Sequence, residues 1–275
     1  MSKNIYTTGL TGFIGKNLLP VLLEDYDFVI NFERDNKIRI HTKNSQEPYK
    51  VTQSLIKKYT SKEIIHLATL YDPLPSSAES LKKIVKSNIF FLVNILEDFF
   101  PSTQLDIINI CSYHQLLDTQ SQNPYSLAKG ILSVYLKNSQ HKVKNIYLFD
   151  TFGPNDNRRK VVDIFIKSII TNKPIIIPKN DIYINISHVS SICQSILKSQ
   201  ELSQGEYSIA SPNTLSLEEL AKLIMKIIGS DVEIEKNGIA PDYFNFLKKI
   251  PQNIFLSPKS NSLENELLSR VNEIK

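Results

Sequence analysis

Short β-branched runs alternate with stretches whose apolar residues recur at helical spacing, and no other feature restricts the fold as much. NIYTTG, DFVINF, EIIHLA, LDIINICS and KNIYLFD have the composition of strands. KNLLPVLLED, LKKIVKSNIFFLVNILEDFF and PYSLAKGILSVYLKN carry apolar residues three and four apart, as helices do. Strands that are apolar along their whole length are expected where helices cover both faces of a sheet. The alternation predicts an α/β fold built on a parallel, doubly wound sheet.

After about residue 153 the pattern changes. VVDIFIKSII reads as a helix, PIIIP as a strand, and ELSQGEYSIASP as a turn with a short strand. SLEELAKLIMKII reads as a helix with Ser216 at the N-cap and Glu219 at the capping-box position. The expected division is a domain over 1–152, to which 181–200 returns, and a smaller lobe over 153–275. The tail from Pro241 is polar and weakly periodic, apart from a last helical stretch at SLENELLSRVNEI.

Three glycines fall within TTGLTGFIGKNLL, at Gly9, Gly12 and Gly15, although the chain has only eight. This spacing, directly after the first strand and directly before a helix, suits a tight turn whose backbone approaches a pyrophosphate. The helix N-terminus adds N–H groups and a positive dipole end. Thr11, Phe13 and Ile14 lie between and beside the glycines and belong to the same candidate cradle. The second strand ends in NFERDNK. An acid there, Glu33, would hold the adenosine ribose of NAD, whereas Arg34 would favour the 2′-phosphate of NADP. The two residues leave NAD and NADP both open.

Composition excludes several other classes. Of the 275 residues 41% are hydrophobic and 22% charged, ample for a sizeable core. The net charge of +4 is spread among both signs without a basic stripe, which argues against a nucleic-acid partner. Cys111 and Cys193 form neither a disulfide framework nor a metal spacing, and His66, His114 and His188 show no metal spacing either. MSKNIYTTG enters the first strand at once, and NIFFLVNILEDFF is short and broken by Glu97 and Asp98. Neither a signal peptide nor a membrane span is expected, and the location is read as cytoplasmic.

In NPYSLAKGI, Tyr125 precedes Lys129 by four residues, so a helix sets them on one face. An ammonium beside a phenol favours phenolate and is expected to bring its pKa down toward working pH. The preceding strand ends IINICSYHQ and offers Ser112, whose hydroxyl can bond the same substrate oxygen.

Together TGLTGFIG, IIHLA, SNIFFLVNILE, ICSYHQ, PYSLAK and LFDTFGPNDNR resemble the extended short-chain dehydrogenase/reductases that act on nucleotide sugars, from about residue 4 to residue 224. The resemblance implies a Rossmann-type domain with NAD or NADP and a catalytic triad of Ser112, Tyr125 and Lys129. Lys129 would also hold the nicotinamide ribose. It further implies that Leu67 and Ala68 line the cofactor's phosphate crevice, that Asn88 supports the site, and that Phe152 lies near the nicotinamide. Tyr113, His114, Asn155 and Arg158 would meet the substrate. The interval from Ser112 to Tyr125 is short for the family, which leaves Cys111 or Tyr113 as alternatives for the serine position. Tyr113 and His114 stand where dehydratases carry an Asp-Glu pair, so dehydration is not expected. Tyr183 and Ile184 stand where many members carry a substrate arginine, a role Arg158 and Arg159 could take.

LFDTFGPNDNRRK is most similar to the branch of CDP-abequose and CDP-paratose synthases. The implied activity is NAD(P)H-dependent reduction of a nucleotide-linked 4-keto-6-deoxy sugar for surface polysaccharide. The alternatives are a 4-epimerase with tightly bound NAD and a non-catalytic cofactor-binding protein. Family members commonly pair through the helices that here read LKKIVKSNIFFLVNILEDFF and PYSLAKGILSVYLKN, which implies a homodimer.

Overall fold

The computed structural model of the chain describes residues 2–117, 123–212, 214–240, 250–256 and 262–275. The chain forms two compact units, Met1–Tyr147 with Ile196–Tyr207, and Leu148–Ser195 with Ser208–Lys275. The break falls before the expected residue 152, and the returning segment begins at Ile196, so 181–195 stays in the second unit. The reason is ladder pairing. Strand β10 (Tyr183–His188) runs parallel to β8 (Asp150–Phe152) and antiparallel to β12 (Thr214–Ser216), which ties it to second-unit strands.

At the centre of the first unit's sheet, β1 (Asn4–Thr8) lies between β2 (Phe28–Glu33) and β5 (Glu63–His66), parallel to both. β6 (Asp106–Ser112) continues the parallel ladder from β5. Beyond β6 come β7 (Lys142–Leu148) and β11 (Gly205–Ile209). The strands are buried on both faces, as their unbroken apolar runs predict.

The other edge departs from the parallel expectation. β2 turns back into β3 (Lys37–His41), which pairs antiparallel with β2 and with β4 (Gln46–Lys50). Asp35 and Asn36 make this turn at φ 61° and 54°, a left-handed conformation those two residue types tolerate.

Helices α1 (Phe13–Asp25), α2 (Gln53–Lys58), α3 (Ala78–Val85), α4 (Phe91–Phe99) and α5 (Pro124–Lys137) belong to this unit. The apolar stripes of α2, α4 and α5 meet the strands in a cluster that includes Ile30, Ile64, Leu92, Leu96, Ile107 and Leu132. Each such side chain stabilises the unit by about 1.5–3 kcal/mol through its removal from water. A π-helical turn, Lys86–Phe90, joins α3 to α4 and buries Asn88. Such π turns are concentrated at functional sites.

The second unit packs α6 (Val161–Ile170), α8 (Leu217–Ile228) and α9 (Leu263–Ile274) around Phe152, Phe165, Ile186, Leu220 and Leu267. The capping box expected at Ser216 and Glu219 closes with bonds of 3.1 and 2.7 Å. The run PIIIP forms β9 (Ile175–Ile177), paired with β13 (Ile234–Lys236). At the core of this unit, Arg270 makes a two-pronged bond to buried Asp163 at 2.9 and 2.7 Å. Among the described residues no helix is long and apolar enough to cross a membrane.

Candidate functional site

The glycine turn has the form its spacing predicts, and Gly9 and Gly15 each have a steric reason. Gly9 sits at φ +79°, and a Cβ there would lie 2.5 Å from the Ala68 nitrogen. The backbone of Leu67–Ala68 therefore packs directly on the turn, as expected for one crevice. At Gly15 a Cβ would come within 2.4 Å of the Gly9 oxygen and of Leu10 Cα, so only glycine lets α1 start this close to β1. Asn31 Oδ1 accepts from the Leu10 nitrogen at 3.3 Å and braces the turn from β2. Gly12 is the N-cap of α1, with no side-chain cap and no acid in the first turn. This is the chemistry a diphosphate needs: bare backbone, close approach and the positive end of a 13-residue helix. The residues present fit a nicotinamide dinucleotide.

At the end of β2, Glu33 is engaged by Arg39, whose Nε and Nη2 donate to its carboxylate at 2.8 and 3.4 Å. Arg34 is exposed in the turn. Arg39 is the cation that the sequence reading missed. It is a β3 residue, and only the antiparallel hairpin brings it back beside Glu33.

Ser112, Tyr125 and Lys129 are brought together in the first unit. α5 begins at Pro124 behind an Asn123–Ser126 capping box, which sets Tyr125 in the first turn and Lys129 one turn later. Tyr125 is 7% exposed and Lys129 5%. The hydroxyls of Ser112 and Thr69 both act on the Tyr125 phenol and favour its charged form. Cys111 instead faces Ser133 at 3.3 Å, so Ser112 is the residue of its strand end that meets the phenol. The stretch 118–122, within the shortened interval, lies outside the described residues.

One electrostatic expectation is corrected. The Tyr125 pKa is pushed up to about 12, because burial outweighs the opposing effect of the Ser112 and Thr69 hydroxyls. Lys129 is not among the groups acting on it, and burial pushes Lys129 itself down. The same burial that places the two side by side disfavours charge on either of them.

Sequence reasoning also missed Thr69 and Tyr71. Thr69 directly follows the HLA motif; it acts on the Tyr125 phenol and donates to Asn88 Oδ1 at 3.1 Å. Asn88 fixes the same loop by accepting from the Leu70 nitrogen at 2.6 Å and donating to its oxygen at 3.1 Å. The Tyr71 ring meets Tyr125 edge-on at 5.0 Å. The usable signal was position: loops at the carboxyl ends of parallel strands carry the site.

Of the expected substrate residues, Tyr113 and His114 form the short turn after β6, with their rings stacked at 4.2 Å. The others belong to the second unit. Asn155 is exposed at φ 64°. Arg158 donates to both Asp156 carboxylate oxygens at 2.7 Å and to the Thr151 oxygen at 2.8 Å, so its guanidinium has structural partners. Phe152 is buried and packs edge-on against His188 at 5.4 Å. Tyr183 and Ile184 open β10. Among the described residues no group of three or more His, Cys, Asp or Glu side chains is placed to hold a metal.

Comparison with known proteins adds three findings. A family model described as the NAD dependent epimerase/dehydratase family matches residues 5–182. CDP-abequose synthase from Yersinia pseudotuberculosis is 27% identical, with 87% of this chain and 92% of that protein covered. The fold is shared with UDP-glucose 4-epimerase from Thermotoga maritima, at a TM-score of 0.73 and 19% identity over 98% of this chain and 97% of that one. It is likewise shared with RMD from Pseudomonas aeruginosa complexed with NADPH, at 0.72 and 14% over 99% of each chain.

Proposed function

Because the chain belongs to the NAD dependent epimerase/dehydratase family, we propose that it reduces a nucleotide-linked 4-keto-6-deoxy sugar with NADPH or NADH. One arrangement carries this reading: a buried neutral phenol, Tyr125, on which the hydroxyls of Ser112 and Thr69 act, with Lys129 one turn further along the helix. The similarity to CDP-abequose synthase supports the substrate class.

When bound, the nicotinamide cofactor supplies the hydrogen and the two electrons that reduce the carbonyl carbon. The chain's own residues manage the proton. Tyr125 is fully protonated near neutral pH, the form a reduction needs, and gives its proton to the carbonyl oxygen as negative charge gathers there. Ser112 and Thr69 orient the phenol and stabilise the phenolate that is left. Lys129, one turn further along α5, is the candidate partner for ribose hydroxyls. The glycine turn, with Thr11, Phe13, Ile14, Leu67 and Ala68, holds the diphosphate. Glu33, oriented by Arg39, meets the adenosine end. Within the first unit, substrate contacts are assigned to Tyr113 and His114.

The co-substrate experiment offers 4-keto-6-deoxy sugars on CDP, dTDP, UDP and GDP with each reduced nicotinamide. Net oxidation of one nicotinamide with one sugar is expected, and Tyr125→Phe should slow it by about a hundred- to ten-thousand-fold. Stoichiometric bound NAD with no net oxidation would replace the reductase by a 4-epimerase. Turnover unchanged in Tyr125→Phe would remove the phenol from the chemistry. Both cysteines are buried and unpaired, a state that a reducing cytoplasm maintains.

A homodimer is also proposed, through α3 and α5. Leu81 and, with the π turn, Phe90 are exposed beside the α5 residues Leu127, Ile131 and Val134, the last three at 48, 57 and 62%. Such an apolar group is more than scattered surface residues usually supply.

A further inference from the structure

A row of polar side chains crosses the middle of the first unit's sheet. Thr8 on β1 is the register partner of His66 on β5, and His66 that of Asn109 on β6. Asn109 Nδ2 then donates to Asn145 Oδ1 on β7 at 2.8 Å. Register partners in a parallel ladder share one face. All four residues are at most 3% exposed. Polar groups buried this deeply are costly unless each is paired. Two atoms of the row have no hydrogen-bond partner among the described residues: His66 Nε2 and Asn109 Oδ1.

The hydrogen bonds decide what these two atoms are. Thr8 Oγ1 accepts from the Ala68 nitrogen at 3.1 Å and lies 2.8 Å from His66 Nδ1. With the Thr8 hydroxyl hydrogen assigned to Nδ1, the proton of the neutral imidazole is assigned to Nε2. His66 therefore presents a donor and Asn109 an acceptor, on neighbouring strands and on one face.

The row lies under the turn of α5 that carries Lys129. Ser133 Oγ donates to the Lys129 carbonyl at 3.1 Å and accepts from Asn109 Nδ2 at 3.3 Å. Lys129 acts electrostatically on His66, and Cys111 acts on Lys129. No carboxylate among the described residues contributes to holding the ammonium charged. We propose that His66 and Asn109 are positioning residues for Lys129: Nε2–H and Oδ1 hold one buried water that accepts from the Lys129 ammonium and keeps it charged inside the fold. Three polar partners match what a buried water usually makes. A purely structural row would be better served by apolar side chains, since a half-satisfied buried network is unfavourable.

Other titratable groups near Lys129 are few. Cys111 comes from β6, His66 from β5, Tyr125 from the previous turn of α5, and half-buried Tyr113 and His114 from the turn packed on α5. The π turn contributes the uncharged Asn88, while Lys82, Lys83 and Lys86 are exposed. The inference concerns the charge of Lys129 in the free protein, so it stands or falls independently of the sugar substrate.

The test is a pH titration of the free protein carrying 13Cε-labelled lysine, read by NMR. The Lys129 signal is assigned by its loss in Lys129→Met. Asn109→Leu and His66→Phe should lower the Lys129 midpoint by about one pH unit, tenfold in proton affinity. His66→Gln, which keeps a donor near the position of Nε2, should restore most of the shift. Asn109→Asp should raise the midpoint. Folding of each variant is followed by thermal unfolding. Midpoints unchanged in folded Asn109→Leu and His66→Phe overturn the proposal. If those two do not fold, Asn109→Asp decides, and a midpoint that does not rise there overturns it equally.

Discussion

At the scale of single residues, burial decides the electrostatics. The spacing of Tyr125 and Lys129 correctly implied neighbours on one helix face, but not the direction of their pKa shifts. Both side chains are withdrawn from water, so the phenol stays protonated up to about pH 12 and the amine is pushed down. His66 shows the same physics with the opposite consequence for acid stability. Burial, with Lys129 nearby, lowers its pKa to about 3. An unfolded histidine titrates near 6.5, so the unfolded chain takes up this proton first as pH falls. The stability linked to His66 is complete above about pH 6.5 and is lost as pH falls toward 3. Urea unfolding between about pH 7 and 4.5 should show a loss on the order of 2–3 kcal/mol from this group. His66→Gln should flatten that slope, and identical slopes in the two proteins would show that other groups govern it.

At the scale of elements, the glycine turn and the β2–β3 hairpin differ in how far local sequence specifies them. The turn is legible because Gly9 and Gly15 answer a steric demand that no other residue meets. Gly15→Ala would drive a methyl to 2.4 Å from the Gly9 oxygen, a backbone atom that cannot swing away. Helix α1 must then shift. Titration calorimetry should find nicotinamide dinucleotide bound at least about tenfold more weakly, roughly 1.4 kcal/mol. An unaltered dissociation constant would mean that the turn does not carry the diphosphate. The hairpin was hidden because NFERDNK advertises charge but not chain direction. The alternation in Lys37–Ile38–Arg39–Ile40 was its one local sign, with Ile38 and Ile40 buried. The outcome matters for the site, since it delivers Arg39 to Glu33.

At the scale of the whole molecule, two units divide the labour of folding. The first buries its strands between helices, and the second closes its helices over Phe152 and the Arg270–Asp163 pair. The first also leaves apolar side chains uncovered on α3 and α5. Ile131, 57% exposed in the middle of α5, is the point to disturb. If these helices pair two copies, Ile131→Glu should convert a dimer into a folded monomer in analytical ultracentrifugation at micromolar concentration. A wild-type monomer under those conditions would refute the dimer directly.

Periodicity, glycine spacing and helix caps determined the strand–helix order, the tight turn at Gly9–Gly15, the box at Ser216 and the places of Tyr125 and Lys129 one turn apart on α5. Each of these answers a constraint that acts within a few residues, so each is written locally. Tertiary structure alone decided that β3 and β4 run antiparallel, that 181–195 stays in the second unit, that Thr69 and Tyr71 lie near the phenol, and that Thr8, His66 and Asn109 form one buried row. Those outcomes depend on which strands lie side by side and how deeply they are buried, and burial is a property of distant segments meeting rather than of neighbours along the chain.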